Sequence, residues 1–372
     1  MKLARRSVLA AAPALALARS GLAAAPRQLE VLGDRPAQLQ TPVEYFDRLL
    51  TPNDVFFVRS HHGLPKLDLS RKLEITGLVE SPLALSLEQL QKLPQTTLTA
   101  VLQCAGNGRA LFSPTVAGVQ WTHGAMGQAE WTGVRLAELL ARAKPKAEAK
   151  HVWLVGADLA PRPATPAFHR DLPLARALAE DTLVAWQMNG EPLALSHGAP
   201  FRLVVPGWAG SYWLKWLTRL ELAATEHPGF FVAKGYRTSN APVAPGAAVP
   251  PEQLVPVAAM PVKSVIARPL EGSVLPPGKQ DVVGVAFSGL AAIKQVEVSL
   301  DEKTWVKAKL EGKPGLGRWQ VFRATVEVKA GTAPRVVSRA TDLAGNVQPR
   351  ELAWNPSGYN YNAWHAVQWK VS

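Results

Sequence analysis

Cys104 is the only cysteine among 372 residues, and it lies in the stretch Leu102-Gln103-Cys104-Ala105-Gly106-Asn107-Gly108-Arg109. A thiolate is a ligand for soft or high-valent metals, and a lone cysteine has no partner for an intramolecular disulfide. Apolar alternation over residues 97–102 predicts a buried strand, which Gly106 and Gly108 end with a sharp turn or a close ligand approach. The pattern therefore places the thiol at a strand end facing a pocket. The alternative is a small buried hydrophobe.

The run Leu-Gln-Cys-Ala-Gly-Asn-x-Arg resembles the molybdenum-binding segment of the sulfite oxidase family. Further similar stretches extend the resemblance from about Phe56 to the C-terminus. The resemblance implies that the Cys104 sulfur binds the metal of a Mo-molybdopterin cofactor. It also implies an α+β chain in which a mixed α/β molybdopterin-binding domain precedes an immunoglobulin-like β-sandwich.

A second similar stretch covers residues 54–62 and corresponds to the family motif Phe-x-x-Arg-Asn-His, with Ser60 at the place of Asn. The resemblance implies that Arg59 reaches the substrate and that His61 contacts the pterin. Arginine suits an oxyanion because its planar fork donates two hydrogen bonds and stays charged. Without the resemblance, Arg59 would be a solvated charge at a strand end.

Three more residues correspond to family positions around the substrate. Arg109 is a second substrate arginine, and Trp121 lies where the family has a tryptophan beside the pocket, although this chain is two residues shorter in between. A core tryptophan is the alternative for Trp121. Tyr236 lies where the family has a tyrosine close to the metal, and a phenol there donates a hydrogen bond or moves a proton.

The cofactor contacts implied by the resemblance come from later in the chain. Residues 196–207 resemble the family stretch His-Gly-x-Pro-x-Arg-x-x-x-Pro-Gly, which assigns pterin contacts to His197 and Arg202. A Lys-Trp-Leu element makes Lys215 a cofactor contact, and Asp158 corresponds to an aspartate that contacts the pterin. On chemistry alone, a histidine can anchor a polar ring and an arginine can clamp a phosphate, but without the resemblance both residues would be interpreted as structural.

Two positions depart from the family pattern, because Tyr212 stands where vertebrate members have arginine and Ser357 replaces a further arginine. The resemblance still implies oxidation of sulfite to sulfate, with electrons passed to a separate c-type cytochrome. The missing charges keep open a molybdopterin enzyme acting on another sulfur species, such as the sulfane sulfur of thiosulfate-oxidising systems. A non-catalytic periplasmic binding protein is a third alternative.

The N-terminus and the composition indicate where the protein acts and which partners it lacks. Arg5-Arg6, an apolar run over residues 8–18 and Ala23-Ala24-Ala25 are typical of a twin-arginine signal peptide over residues 1–25, which predicts a periplasmic protein. The apolar run is too short to span a bilayer. The formal charge is +12, but no basic block or zinc-finger spacing indicates nucleic acid binding. No Cys-x-x-Cys-His is present, so no c-type haem is expected on this chain.

We expect two domains to position the candidate site residues. A content of 47% hydrophobic residues allows a substantial core in each domain. We expect a catalytic domain over residues 26–240, a proline-rich linker over residues 241–261 and a sandwich over residues 262–372. Short apolar strands at regular spacing predict the sandwich. The resemblance implies that this second domain forms a homodimer.

Within the catalytic domain, the pattern predicts a strand over residues 73–79, a helix capped by Ser86, and a strand over residues 151–156. It also predicts an amphipathic helix over residues 132–140, N-capped by a threonine. A strand is expected over residues 213–217.

Overall fold

The computed structural model describes residues 28–372, and the predicted signal peptide lies outside them. Fifteen strands precede the sandwich. They are β1 (Glu30–Asp34), β2 (Ala37–Gln40), β3 (Val58–Arg59), β4 (Leu73–Gly77), β5 (Leu83–Leu85), β6 (Gln95–Gln103), β7 (Met126–Arg135), β8 (His151–Gly156), β9 (Arg170–Pro173), β10 (Leu183–Met188), β11 (Glu191–Pro192), β12 (Arg202–Val204), β13 (Leu217–Ala223), β14 (Arg237–Ser239) and β15 (Leu254–Pro256).

The helices of this first part are short. They are α1 (Leu87–Gln91), α2 (Leu136–Ala143), α3 (Leu174–Ala177) and α4 (Phe230–Ala233), with 3-10 turns at Val43–Asp47, Asn53–Val55, Arg109–Leu111, Leu195–His197, Gly210–Tyr212 and Pro251–Gln253. The side chain of Ser86 caps α1 in a capping box, as its sequence predicts. Within residues 28–372, no helix is both long and apolar enough to cross a membrane.

Two five-stranded sheets form the body of the first domain. One has the order β11-β10-β7-β6 with β12 paired to β10, and the other has the order β5-β4-β13-β8-β9. In the second sheet β13 and β4 run parallel, whereas β8 is antiparallel to both of its neighbours. Apolar side chains from both sheets form one core, which includes Trp131 and Leu220, each fully buried. The strands that end beside the site are therefore fixed by a shared core.

The second domain is a sandwich. Its strands are β16 (Lys263–Arg268), β17 (Val274–Leu275), β18 (Gly278–Phe287), β19 (Ile293–Ser299), β20 (Val306–Lys307), β21 (Lys309–Glu311), β22 (Gln320–Val328), β23 (Arg335–Asp342), β24 (His365–Gln368) and β25 (Lys370–Val371). Antiparallel sheets of order β16-β18-β22-β21 and β20-β19-β23-β24 enclose a second core, while β17 pairs with β25. The predicted α+β class with a β-rich second domain is confirmed.

A third apolar cluster joins the two domains. Phe46, Val101 and Met126 from the first domain pack with Phe287 and Trp319 from the sandwich. The backbone N–H of Val101 also donates to the carbonyl of Gly317 at 2.8 Å, so β6 is tied to the second domain just before the cysteine loop. The range predicted as a linker contains a short strand, β15, which pairs with β14.

Two predicted elements were placed wrongly. The helix begins at Leu136 rather than at Thr132, because residues 132–135 pair with β10 and β6 on either side as the end of β7. Thr132 uses its hydroxyl for a 2.7 Å bond to Thr97 across the strands instead of capping a helix. Pairing between distant strands therefore outweighs the local helical pattern.

The strand expected over residues 213–217 begins only at Leu217. Trp216 has a φ of 52°, a left-handed conformation that ends the extended run. Residues 213–216 instead line the inner cavity described below, and the carbonyl of Leu214 accepts from the N–H of Leu203 at 2.8 Å.

Candidate active site

The loop that carries Cys104 follows β6 directly. The N–H of Cys104 donates to the carbonyl of Ala125, and its own carbonyl accepts from the N–H of Asn107, both at 2.9 Å. The Asn107 amide donates to Gln103 Oε1 and accepts from the N–H of Ala125, both at 3.0 Å. The polar residues of the motif therefore fix the loop, and the cysteine remains a free, partly exposed thiol at the strand end.

Arg109 closes the same loop. Its Nη1 and Nη2 donate to the carbonyls of Val119 and Ser357, each at 3.2 Å, and its Nε has no partner. The guanidinium lies 5.3 Å from the ring centroid of Tyr359. The side chain is only 8% exposed, so backbone carbonyls hold a nearly buried cation.

Three glycines make room for this guanidinium. A Cβ at Gly106, Gly118 or Gly358 would lie 2.6, 2.8 or 2.9 Å from an atom of the Arg109 side chain. Gly118 and Gly358 also have positive φ values, 122° and 59°. Gly106 was predicted to allow a sharp turn or the close approach of a ligand. In the structure it leaves room for the Arg109 side chain of the same motif.

Two cavities meet at the cysteine, an inner one and an outer one, and they share four lining residues. Every residue predicted for the site lines at least one of them. Both cavities are lined by Arg59, His61, Cys104 and Tyr236; the inner one also by Asp158, His197, Arg202 and Lys215, and the outer one by Arg109 and Trp121. The residues confined to the inner cavity are ones for which cofactor contacts were predicted, and the two confined to the outer cavity are ones predicted to act at the substrate.

Arg202 is an almost fully buried cation in the inner cavity. Its Nη1 and Nη2 donate to the carbonyls of His197 and Trp213 at 2.9 and 3.0 Å, and its Nε has no partner. The guanidinium also lies 4.9 Å from the ring centroid of Trp131. Burial lowers the pKa of Arg202 to about 9, which still leaves it charged at neutral pH.

Lys215 and His197 line the inner cavity beside Arg202. The Lys215 ammonium donates to Ser60 Oγ at 3.0 Å and to the carbonyl of Ser196 at 2.9 Å. Burial and the nearby Arg202 charge lower the pKa of Lys215 well below its usual value. Burial, followed by Arg202 and Lys215, lowers the pKa of His197 to about 3, so its ring is neutral. Asp158 is the acidic member, and burial raises the pKa of its carboxyl.

The donor set of the inner cavity fits Mo-molybdopterin. The cofactor carries a phosphate and a pterin ring rich in acceptors, and the cavity has the unpartnered Nε of Arg202 together with Lys215. Asp158 is available for pterin N–H groups. Cys104 supplies a free sulfur where the two cavities meet, which is the ligand type that molybdenum accepts. These residues would hold the cofactor between the inner and outer cavities.

His61 and Tyr236 form a hydrogen-bonded pair beside Cys104. The Tyr236 hydroxyl lies 2.9 Å from His61 Nε2, and the imidazole stacks on Phe168 with ring centroids 4.1 Å apart. Burial and then the Arg59 charge lower the pKa of His61 well below its usual value, so the ring is neutral. Burial raises the pKa of Tyr236, which keeps its phenol protonated. The pair is therefore able to hold or relay one proton.

Trp121 lies on the outer side, completely buried, and its indole Nε1 has no partner. This combination is unusual for a core tryptophan, because a buried indole N–H normally finds an acceptor. Trp121 is among the residues that line the outer cavity.

Arg170 was not predicted. It begins β9, is 2% exposed, and its guanidinium carbon lies 4.4 Å from the ring centroid of Tyr212 and 5.0 Å from that of Tyr236. The sequence signal was weak, since it consisted only of an arginine two residues before the buried Leu172. A positive charge from another strand therefore lies beside Tyr212, although Arg170 lines neither cavity.

Two protein-family models match the chain in the order of its domains. Residues 61–231 match a model described as the oxidoreductase molybdopterin binding domain. Residues 255–372 match a model described as the Mo-co oxidoreductase dimerisation domain. The fold and the site thus define a molybdopterin-dependent oxidoreductase, an enzyme rather than a binding protein.

Relatives narrow the class further. Sulfite oxidase from Gallus gallus is 36% identical over 91% of this chain and 77% of its own length, and sulfite oxidase from Arabidopsis thaliana is 34% identical over 86% and 87%. Mitochondrial sulfite oxidase from Mus musculus is 34% identical over 92% of this chain, which spans only 66% of that relative. The sulfane dehydrogenase SoxCD from Paracoccus pantotrophus has a similar structure, with a TM-score of 0.79 and 30% identity over 91% of this chain and 85% of that one. The chain belongs to the sulfite oxidase family.

Proposed function

We propose that this protein oxidises sulfite to sulfate in the periplasm and passes the two electrons singly to a separate c-type cytochrome. The observation that carries the proposal is the outer cavity, where Arg59, Arg109 and Trp121 face the same space as Cys104. Three relatives named as sulfite oxidases, between 34% and 36% identical, support the same substrate. The reaction takes up one water and releases two protons together with the two electrons.

Bound Mo-molybdopterin supplies the two-electron oxidation and the oxygen transfer. The protein supplies the placement of the anion and the proton transfers. Arg59 and Arg109 would hold the sulfite oxygens, because charge-assisted hydrogen bonds must replace the water that the anion loses. Backbone carbonyls already fix the Arg109 guanidinium, so little reorganisation is needed when the anion arrives.

The His61–Tyr236 pair would handle a proton released during turnover. The neutral imidazole has accepting capacity, and the phenol 2.9 Å away donates or relays. Stacking on Phe168 fixes the orientation of the His61 ring, so that its Nε2 stays directed at the Tyr236 hydroxyl. General acid–base help of this kind contributes about 10²–10⁴-fold to a rate.

The periplasmic location and the homodimer are also part of the proposal. Residues 1–25 carry the twin-arginine pattern that supports export of a folded, cofactor-loaded protein. The match of residues 255–372 to a dimerisation domain supports a homodimer. Sequencing the N-terminus of exported protein tests the first, and sedimentation at micromolar concentration tests the second.

The direct test uses the purified mature protein. Molybdenum and pterin content is measured first, followed by sulfite-dependent reduction of ferricyanide and of cytochrome c. We expect stoichiometric molybdenum and turnover with both acceptors. Protein that is fully loaded with cofactor and leaves sulfite unoxidised would overturn the proposal.

One observation favours a second substrate class, sulfane sulfur. Ser357 places an uncharged side chain in the wall of the outer cavity, and its hydroxyl donates to the carbonyl of Arg237 at 2.8 Å. A wall with one arginine fewer than the family pattern suits a substrate that carries less charge, and the chain is similar in structure to a sulfane dehydrogenase. Comparing kcat/KM for sulfite with that for a persulfide, in the same preparation, separates the two substrates.

A further inference from the structure

Arg170 is a buried cation that neither the cofactor contacts nor the substrate contacts explain. It lies on the edge strand β9, where its backbone pairs with Leu154 of β8. Its Nη1 donates to the carbonyl of Phe231, and its Nε has no partner. Within residues 28–372, no carboxylate lies within 4 Å of its nitrogens. A buried charge without a carboxylate is costly, so its retention calls for another reason.

The neighbouring acid does not neutralise it. Asp171 is committed to His151, with its Oδ2 2.7 Å from His151 Nδ1. Arg170 instead faces two tyrosine rings, whose centroids lie 4.4 Å (Tyr212) and 5.0 Å (Tyr236) from the guanidinium carbon. Aromatic faces attract a desolvated cation, and the attraction depends on the ring being held face-on.

Tyr236 is 8% exposed and also packs against Phe168 and Phe231, so Arg170 is one of several contacts that hold its ring. Its backbone is in the left-handed region, with a φ of 51°, which is unfavourable for a residue with a bulky side chain. Its ring stacks on Tyr359 with centroids 5.5 Å apart, and its hydroxyl reaches His61. Arg170 therefore packs against a tyrosine whose position depends on tertiary contacts.

We propose that Arg170 is a positioning residue, which holds the Tyr236 ring so that its hydroxyl stays on His61. This inference rests on the proposed function, in which that pair handles a proton. Arg170 acts through Tyr236 and does not contact the substrate. Its charge opposes protonation of His61. The other titratable groups on which its charge acts are Tyr212, Tyr236, Tyr359 and Asp171.

The experiment is a double-mutant cycle of Arg170→Met with Tyr236→Phe. The methionine keeps an unbranched apolar stem and removes the charge. We expect Arg170→Met to lower kcat at least tenfold with KM changed less than twofold, and to shift the pH profile of kcat. In the Tyr236→Phe background the same change should alter kcat less than threefold. Arg323→Met removes an exposed arginine of the sandwich and serves as the control.

Two further measurements distinguish a folding defect from a loss of Tyr236 positioning. Arg170→Lys keeps a cation and should recover at least part of kcat, with wild-type molybdenum content. Crystal structures of the wild type and of Arg170→Met should show the distance from the Tyr236 hydroxyl to His61 Nε2 increasing from 2.9 Å to beyond 3.5 Å. An unchanged distance, or an equal loss of kcat in both backgrounds, overturns the assignment.

The substrate question stays separate. If the wild type oxidises a persulfide and not sulfite, the cycle is measured with the persulfide, and the proposed function fails while the role of Arg170 is still decided. If sulfite is oxidised and Arg170→Met is indistinguishable from the wild type, the proposed function stands and this inference fails.

Discussion

Replacing Lys263 with methionine should stabilise the protein. Lys263 lies at the start of β16, is 1% exposed, and its Nζ has no hydrogen-bond partner in the described structure. The two titratable groups beside it are His123 and His365, whose rings are 4.2 Å apart and whose pKa values its charge lowers. Neither compensates a buried ammonium. Methionine fills a similar volume without a charge.

The magnitude follows from the shift in pKa. Burial lowers the pKa of Lys263 from 10.5 to about 7, and one pKa unit corresponds to about 1.36 kcal/mol. The folded state therefore loses up to about 4 kcal/mol at pH 7, of which we expect Lys263→Met to recover about 1–3 kcal/mol. Because the folded pKa is depressed, the unfolded chain binds more protons between pH 7 and 10.5. The destabilisation is thus complete below pH 7 and disappears as pH rises toward 10.5.

Thermal unfolding of the cofactor-loaded protein at pH 7 and at pH 10 measures this effect. The Lys263→Met midpoint should exceed that of the wild type at pH 7, and the difference should shrink at pH 10. Lys307→Met, at an exposed position of β20, is the control and should change neither value. A midpoint that falls on substitution, or a gain equal at both pH values, would refute the reasoning.

Three further predictions concern the site itself. Cys104→Ser should fold with an unchanged thermal midpoint and lose turnover, because a hydroxyl is a poor soft ligand; near-normal activity in molybdenum-loaded mutant protein would contradict the metal-ligand assignment. Gly118→Ala places a Cβ 2.8 Å from Arg109 Nη1 and should raise the sulfite KM about tenfold, equivalent to about 1.4 kcal/mol. Gly246→Ala, also at positive φ but with open space around it, is its control, and equal KM values in the two variants would argue against the Arg109 role. Ser357→Arg should lower the sulfite KM and strengthen sulfate inhibition; an unchanged inhibition constant would show that the new guanidinium does not reach the anion.

Local sequence patterns predict those parts of the site whose geometry is set by neighbours in the chain. The strand before Cys104 and the turn after it follow from alternation and from two glycines. The capping box at Ser86 is equally local. In each case the controlling contacts lie within a few residues, so a pattern in one sequence carries the information.

Contacts between distant segments explain what the sequence does not predict. Thr132 continues β7 because strands before and after it in the chain pair on either side. Arg170 approaches Tyr236 only after β9 joins the sheet edge and α4 packs nearby, 66 positions along the chain. The local sequence pattern around Arg170 does not depend on Tyr236, and the reverse also holds. A periodicity in the sequence therefore cannot predict this contact.

The two departures from the family pattern have different structural consequences. Beside Tyr212, the Arg170 guanidinium is held against tyrosine rings and a backbone carbonyl, and it lines neither cavity. At Ser357 the side chain carries no charge, and the Ser357 carbonyl instead binds Arg109. The basic residues that line the outer cavity are Arg59, Arg109, Lys234 and Arg237. An arginine beside an oxyanion replaces part of its hydration, so a change of charge matters most where the side chain lines the cavity. Ser357 lines the outer cavity, whereas Tyr212 lines neither cavity, and we therefore expect substitutions at Ser357 to change substrate preference more than substitutions at Tyr212.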